Sequence, residues 1–172
     1  MNKEKEEIIE YLMYKFSEWH KEETGKEDDN FHTLKFTTLL YLTITADINK
    51  HSENSLLDDV FTELWSEPYG VVDREVKAYM RASDKVEEGV IKRVNSEAVC
   101  NDERVLKSLE KVKKINSKLI TYSSWDLMRI VQKTYAWIFY KNKARDRGEY
   151  SSKIPKEIIK NEERFYFKTG II

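Results

Sequence analysis

A mainly α fold, a single compact helical domain of about six to seven helices, is what this chain predicts, and three observations carry the prediction. The 172 residues contain only five glycines and two prolines, which leaves few places for tight turns and favours long helices over many short strands. Apolar residues recur at spacings of three and four along most of the chain, the pattern of helices with one buried face. The composition, 40% hydrophobic and 35% charged, is that of a globular chain with a heavily charged surface. The length fits one domain over residues 1–172, with no repeat, low-complexity tract or linker to divide it.

Taken in order, "EKEEIIEYLMYKFSEWHKEE" places Ile8, Leu12, Phe16 and Trp19 on one stripe, widened by Ile9 and Met13. Its first turn holds Glu4, Glu6 and Glu7, where negative charge suits the helix dipole. Gly25 and the Asp/Asn cluster of "TGKEDDN" stop it. From Thr33 to Asn49, Leu34, Leu40, Tyr41, Ile44 and Ile48 fit a second helix; its threonines would suit a strand, but the run is too long for one. "NKHSENS" breaks the pattern, and "LLDDVFTELW" reads either as a short helix or as an irregular or hairpin segment around residues 56–72.

Asp73 is placed to cap a helix holding Val76, Tyr79 and Met80. Residues 84–98 are weakly patterned. "NDERVLKSLEKVKKIN" then predicts a helix starting near Asn101 or Asp102, with Val105, Leu109 and Val112 inward and Leu106 alongside. Ser123 or Ser124 is expected to cap one long helix ending near Gly148, whose Leu127, Ile130, Val131, Thr134, Tyr135 and Ile138 form the widest apolar face and hence the expected core. Ser152 as cap and Pro155 in the first turn predict a last helix.

The net charge of −1 gives no global attraction to nucleic acid or to an anionic membrane. The distribution is uneven: residues 1–32 carry five Lys/Arg against ten Asp/Glu, and residues 141–172 carry nine against five. The lone Cys100 permits no intramolecular disulfide. "FTTLLYLTITA" is far shorter than the ~20 apolar residues a spanning helix needs, and "MNKEKEEIIE" lacks the apolar stretch of a signal peptide. A cytoplasmic protein with no membrane association is expected.

Chemistry-bearing patterns are sparse. Asp47 and His51 would share a helical face if the second helix ran that far, yet no third or fourth metal ligand accompanies them. His20 and Glu23 lie in a charged helix end, His32 reads as a capping or surface residue, and Cys100 has no histidine near it in sequence. GxSxG, HExxH, paired CxxC, P-loop and GxGxxG motifs are absent. No enzyme, metal or cofactor is expected. Arg145, Arg147, Lys153, Lys156, Lys160 and Arg164, with Tyr166 and Phe167, could contact phosphates and stack on bases. They alternate with Glu149, Glu157, Glu162 and Glu163, the pattern of a solvated face.

Three stretches carry a family resemblance: "TLKFTTLLYL", then "FTELWSEPYGVVDREV", then "LMRIVQKTYAWIFYKNKARDRGEYSSKIPKEII". Together, from about Thr33 to Ile159, they resemble the Panacea domain, the SocA-like, phage-associated antitoxin family. Leu34, Lys35, Leu39, Leu40 and Tyr41 stand for its first element, Trp65, Tyr69, Gly70, Val71 and Val76 for its second, and Trp137 for the tryptophan of its third. Val71 stands where the family has proline, and "VQKTYA" lacks the family's Thr-His pair, so no role of that histidine carries over.

The resemblance implies a helical antitoxin of a toxin–antitoxin system that neutralises a toxin encoded nearby by direct protein–protein interaction. A protease or chaperone is a further implied partner, with the protein as proteolytic adaptor. The candidate contact residues are Trp65, Tyr69, Gly70 and Val71, then Tyr135 and Trp137. Gly70 permits a turn that a larger residue would strain, and that turn aims Trp65, Tyr69 and Val71 together, either onto the core or toward a partner. The alternative is a phage or mobile-element nucleic-acid-binding regulator that uses the basic C-terminal third.

Overall fold

A computed structural model describes residues 1–29 and 31–164. Helix α1, Lys3–Thr24, begins where the Asn2 side chain accepts from the Lys5 amide at 2.8 Å and ends at Gly25, whose N–H returns to the Lys21 carbonyl. Its predicted stripe, Ile8, Ile9, Leu12, Met13, Phe16 and Trp19, is fully buried, and the Trp19 indole donates to the Ser117 carbonyl at 3.0 Å.

Helix α2, Thr33–Ile44, is the centre of the molecule: every residue from Lys35 to Ile44 is buried. A helix covered on all sides is a core helix, so the core centres on α2, and of the predicted C-terminal face Leu127, Ile130 and Val131 pack into the same core. α2 also stops at Ile44, short of Asn49, because the Thr45 hydroxyl takes the Tyr41 carbonyl and the chain turns. Ile48 remains buried from within that turn.

Ser55 and Asp58 form a capping box for the short helix α3, Leu56–Asp59. Strands β1, Leu64–Glu67, and β2, Gly70–Asp73, pair antiparallel as the hairpin left open by the sequence. Asp73 caps α4, Arg74–Ala82, by accepting from the Glu75 and Val76 amides, as its position predicts. The weakly patterned stretch holds a two-residue-per-strand hairpin, β3 Val86–Glu87 and β4 Val90–Ile91. Asp102 caps α5, Glu103–Ile115, which buries Val105, Leu109 and Val112 but leaves Leu106 exposed. A 3-10 turn, Ser117–Thr121, leads to the last elements.

The expected long helix is two: α6, Ser124–Val131, and α7, Tyr135–Asp146. Thr134 makes the break, its hydroxyl donating to the Val131 carbonyl at 2.7 Å and accepting from the Trp137 amide at 3.3 Å. The change of direction turns Ala136, Tyr140 and Ala144 inward and leaves Tyr135 and Ile138 exposed at 58% and 44%. Ser152 lies in β5, Ser152–Lys153, beside β1 in the order β2-β1-β5, and does not cap a helix. Pro155 immediately precedes α8, Lys156–Lys160. Among the described residues the fold thus has eight α-helices, more than the six to seven expected, with only small antiparallel sheets. No described helix is long and apolar enough to cross a membrane.

Two buried lysines are held in ion pairs, and the first ties α1 to the start of α4. Lys5 reaches Asp73 and Glu75, each at 2.8 Å, and Lys35 reaches Asp28 at 2.5 Å. Glu10 accepts from Tyr79 and pairs with Lys85 at 2.6 Å. Burial and the Glu10 carboxylate hold the Tyr79 phenol well above its usual range. By contrast, the buried Thr43 hydroxyl has no hydrogen-bond partner among the described residues. Thr43→Val removes that unsatisfied group at little cost in shape, and thermal unfolding is expected to show a gain of about 1 kcal/mol.

Asp58 fastens α8 to α3 through Lys156 and Lys160, each at 2.8 Å. Burial opposes its charge, but the two ammoniums and the Ser55 hydroxyl and amide hold its carboxyl well below the ordinary 3.8. A folded-state pKa below the unfolded one means that the native state binds fewer protons, so this stabilisation is complete above about pH 5 and fades as pH falls through 4 toward 2. The difference in unfolding free energy between wild type and Asp58→Asn is therefore expected to be largest at neutral pH and to shrink steadily below pH 4 in denaturant titrations.

Candidate functional site

The β1–β2 hairpin closes on Pro68 and Tyr69, with Glu67 opposite Gly70. Gly70 has φ +135, a backbone state that side chains with a Cβ rarely adopt, although the space toward Val131 would admit one. The turn is clamped from the α6–α7 junction. The Trp137 indole donates to the Glu67 carbonyl at 2.8 Å, and the Gln132 amide donates to the Pro68 carbonyl at 3.1 Å. The break in the long helix is thus where the turn docks.

The sequence-predicted contact residues separate on this frame. Trp65 lies opposite Val72 and Ser66 opposite Val71, so Trp65 and Val71 face opposite sides of the sheet and are not aimed together. Val71 is core, at 2% exposure, and Gly70 is buried. Trp65 is half-buried under the Arg74 guanidinium, 3.4 Å from its ring centre. Trp137 is half-buried and positions the turn. Tyr69 is 54% exposed. Tyr135 stands elsewhere, stacked on Phe139 at 5.4 Å and lining a depression with Ile158 and Glu162. Glu162 accepts from the Ala136 amide at 2.5 Å, and burial pushes its carboxyl upward.

Tyr69 stands at a groove of about 420 Å³. Four separate segments form it: the start of α2, the β1–β2 turn with Val72, the face of α4, and the tip of the β3–β4 hairpin. Leu34, Val72, Met80 and Val86 supply its apolar surface, and Glu67, Lys77, Arg81 and Glu88 its charges. Lys77 pairs with Glu67, which also lies 3.9 Å from Arg74. Sequence reasoning missed Lys77 and Arg81; their spacing of four on the Asp73-capped helix, which puts both on one face, was the available signal.

Most of the remaining candidates are engaged in structural contacts, while Arg145 and Arg147 are exposed. Asp47 pairs with Lys111 at 2.8 Å, and with α2 ending at Ile44 it shares no helical face with His51. Glu23 pairs with Lys118 and not with His20, which meets the Lys26 carbonyl at 3.1 Å. His32 precedes α2 without a side-chain capping bond. Burial raises the pKa of the Cys100 thiol, which keeps it protonated and a poor nucleophile. Among the described residues no three His, Cys, Asp or Glu side chains gather as a metal site would require. In the basic C-terminal third, Lys153 pairs with Glu63 at 2.6 Å, Lys156 and Lys160 pair with Asp58, and Arg164 donates to the Thr45 and Ile159 carbonyls. Tyr166 and Phe167 lie outside the described residues. Compared with protein-family models, curated proteins and solved structures, the chain finds no match in any of the three, so its functional reading rests on the clamped hairpin and the groove beside it.

Proposed function

We propose that this chain is an antitoxin-like binding module of the cytoplasm that neutralises a toxic protein partner by covering its working surface. The observation that carries the reading is Tyr69: a large, exposed aromatic side chain on a turn held by two side-chain hydrogen bonds, at the rim of an apolar groove. Exposed aromatics on rigid frames make strong interface anchors, because little conformational freedom is lost when they bind. A complex of standard size would bury roughly 1,600 Å² in total. The partner class, a toxin encoded nearby, comes from the resemblance to the Panacea domain, as does delivery of the bound toxin to a protease.

The test is co-expression with the product of the adjacent reading frame. Growth arrest by that product, restored by this protein through a complex that co-purifies, is the expected result. A harmless neighbour, or arrest that persists, would remove the antitoxin reading. Binding to single-stranded oligonucleotide that falls steeply with added salt would favour a nucleic-acid-binding regulator instead.

A further inference from the structure

We infer that the groove beside Tyr69 receives a short segment of the protein partner in which a bulky apolar residue is flanked by one acidic and one basic side chain; this rests on the binding reading above. The size and lining set the centre of the segment. About 420 Å³ falls within the range of roughly 300–1,000 Å³ typical of ligand pockets, room for a few side chains. Leu34, Val72, Met80 and Val86 offer that space an apolar wall.

The charges set the flanks. Lys77 and Glu67 satisfy each other. Arg81, at the end of α4, and Glu88, at the tip of the β3–β4 hairpin, line the groove as exposed groups, and neither has an ion-pair partner among the described residues. One free cation and one free anion at separate points of an apolar groove complement a segment carrying both signs around an apolar residue. An occupant of single charge would satisfy one and leave the other opposed.

Both movable walls are already fixed. The Thr33 amide donates to the Gly89 carbonyl and the Ile91 amide to the Phe31 carbonyl, each at 2.8 Å, pinning one hairpin to the start of α2. Gln132 and Trp137 hold the other. The groove is preformed, so a segment need order only itself.

The test uses the full-length ¹⁵N-labelled protein and three blocked tripeptides as probes: acetyl-Glu-Leu-Lys-amide, acetyl-Lys-Leu-Glu-amide and acetyl-Ser-Leu-Ser-amide. One of the two charged peptides is expected to bind with a dissociation constant on the order of 1 mM or tighter, shifting the amides of Leu34, Val72 and Gly89. It should bind about fivefold more tightly than the serine peptide, and Arg81→Glu, an exposed change, should remove that advantage. Val86→Trp should block the groove, with circular dichroism checking that it folds. The inference fails if neither charged peptide moves these amides, if the serine peptide binds equally, or if the shifts fall instead on Tyr135 and Phe139. In the growth assay, rescue by wild type that survives both Arg81→Glu and Val86→Trp would overturn the groove while leaving the antitoxin reading intact. Absence of wild-type rescue would overturn that reading, and the peptide titration would still decide the groove.

Discussion

Lys5→Met is expected to destabilise the protein by about 3–5 kcal/mol, the usual consequence of removing one partner from a buried ion pair. Lys5 is 1% exposed, and its ammonium lies 2.8 Å from both Asp73 Oδ2 and Glu75 Oε2 and 5.1 Å from the centre of the Phe61 ring. Methionine keeps most of the volume, so the loss comes from charge and not from a cavity. The Asp73 side chain is as buried as that of Lys5, and without the ammonium its carboxylate keeps, among the described residues, the amides of Glu75 and Val76, at 3.0 and 3.2 Å. Glu75 is partly exposed; Lys5 holds its carboxyl below the ordinary value against the opposing effect of burial, and water can replace that contact.

The double variant Lys5→Met/Asp73→Asn should recover at least half of the loss. Asparagine caps a helix about as well as aspartate, and no uncompensated buried charge remains. Urea titrations of both single variants and the double give the coupling energy directly. A Lys5→Met protein within 0.5 kcal/mol of wild type would show that the pair contributes nothing net. The location gives the pair a bearing on function, because Asp73 ends β2 and caps α4, so this contact fixes one wall of the groove to the N-terminal helix.

How far the sequence could be read depended on whether the deciding interaction was local. α1 was legible end to end, since its stripe, its acidic first turn and Gly25 are all within the segment. So was the Asp73 cap. The break between α6 and α7 was not. "VQKTYAW" contains neither glycine nor proline, and two of its side chains, Gln132 and Trp137, are engaged by carbonyls 64 and 70 residues away. The local Thr134 cap is therefore joined by tertiary contacts that no spacing in the segment announces. The core was read only in part: Leu127, Ile130 and Val131 do belong to it, but α2 is covered on every side, and its threonines hid that from a pattern based on one apolar face. Within the candidate site, Pro68 and Gly70 announced the turn, but which of Trp65, Tyr69 and Val71 faced outward depended on strand register. The groove itself gathers four segments that no spacing rule connects.

Tyr69→Ala is expected to weaken the complex with the partner by roughly 2–4 kcal/mol, about 30- to 1,000-fold in affinity, the range for an aromatic hot spot, while changing fold stability by less than about 0.5 kcal/mol. The two effects separate because the backbone at Tyr69, not its side chain, belongs to the fold. The turn is held through the carbonyls of Glu67 and Pro68 and through the conformation of Gly70, and the tyrosine ring is more than half exposed. Trp137→Phe should show the opposite balance. It keeps an aromatic ring but leaves the Glu67 carbonyl without its indole donor, costing about 1–3 kcal/mol of stability, with affinity falling only as far as the turn loosens. Tyr69→Phe should retain most of the binding if the ring is the anchor and lose it if the hydroxyl is. Titration of the purified complex alongside urea unfolding of each variant distinguishes these cases. A Tyr69→Ala protein that unfolds markedly more easily, or that binds the partner as wild type does, would place the contact surface somewhere other than this turn.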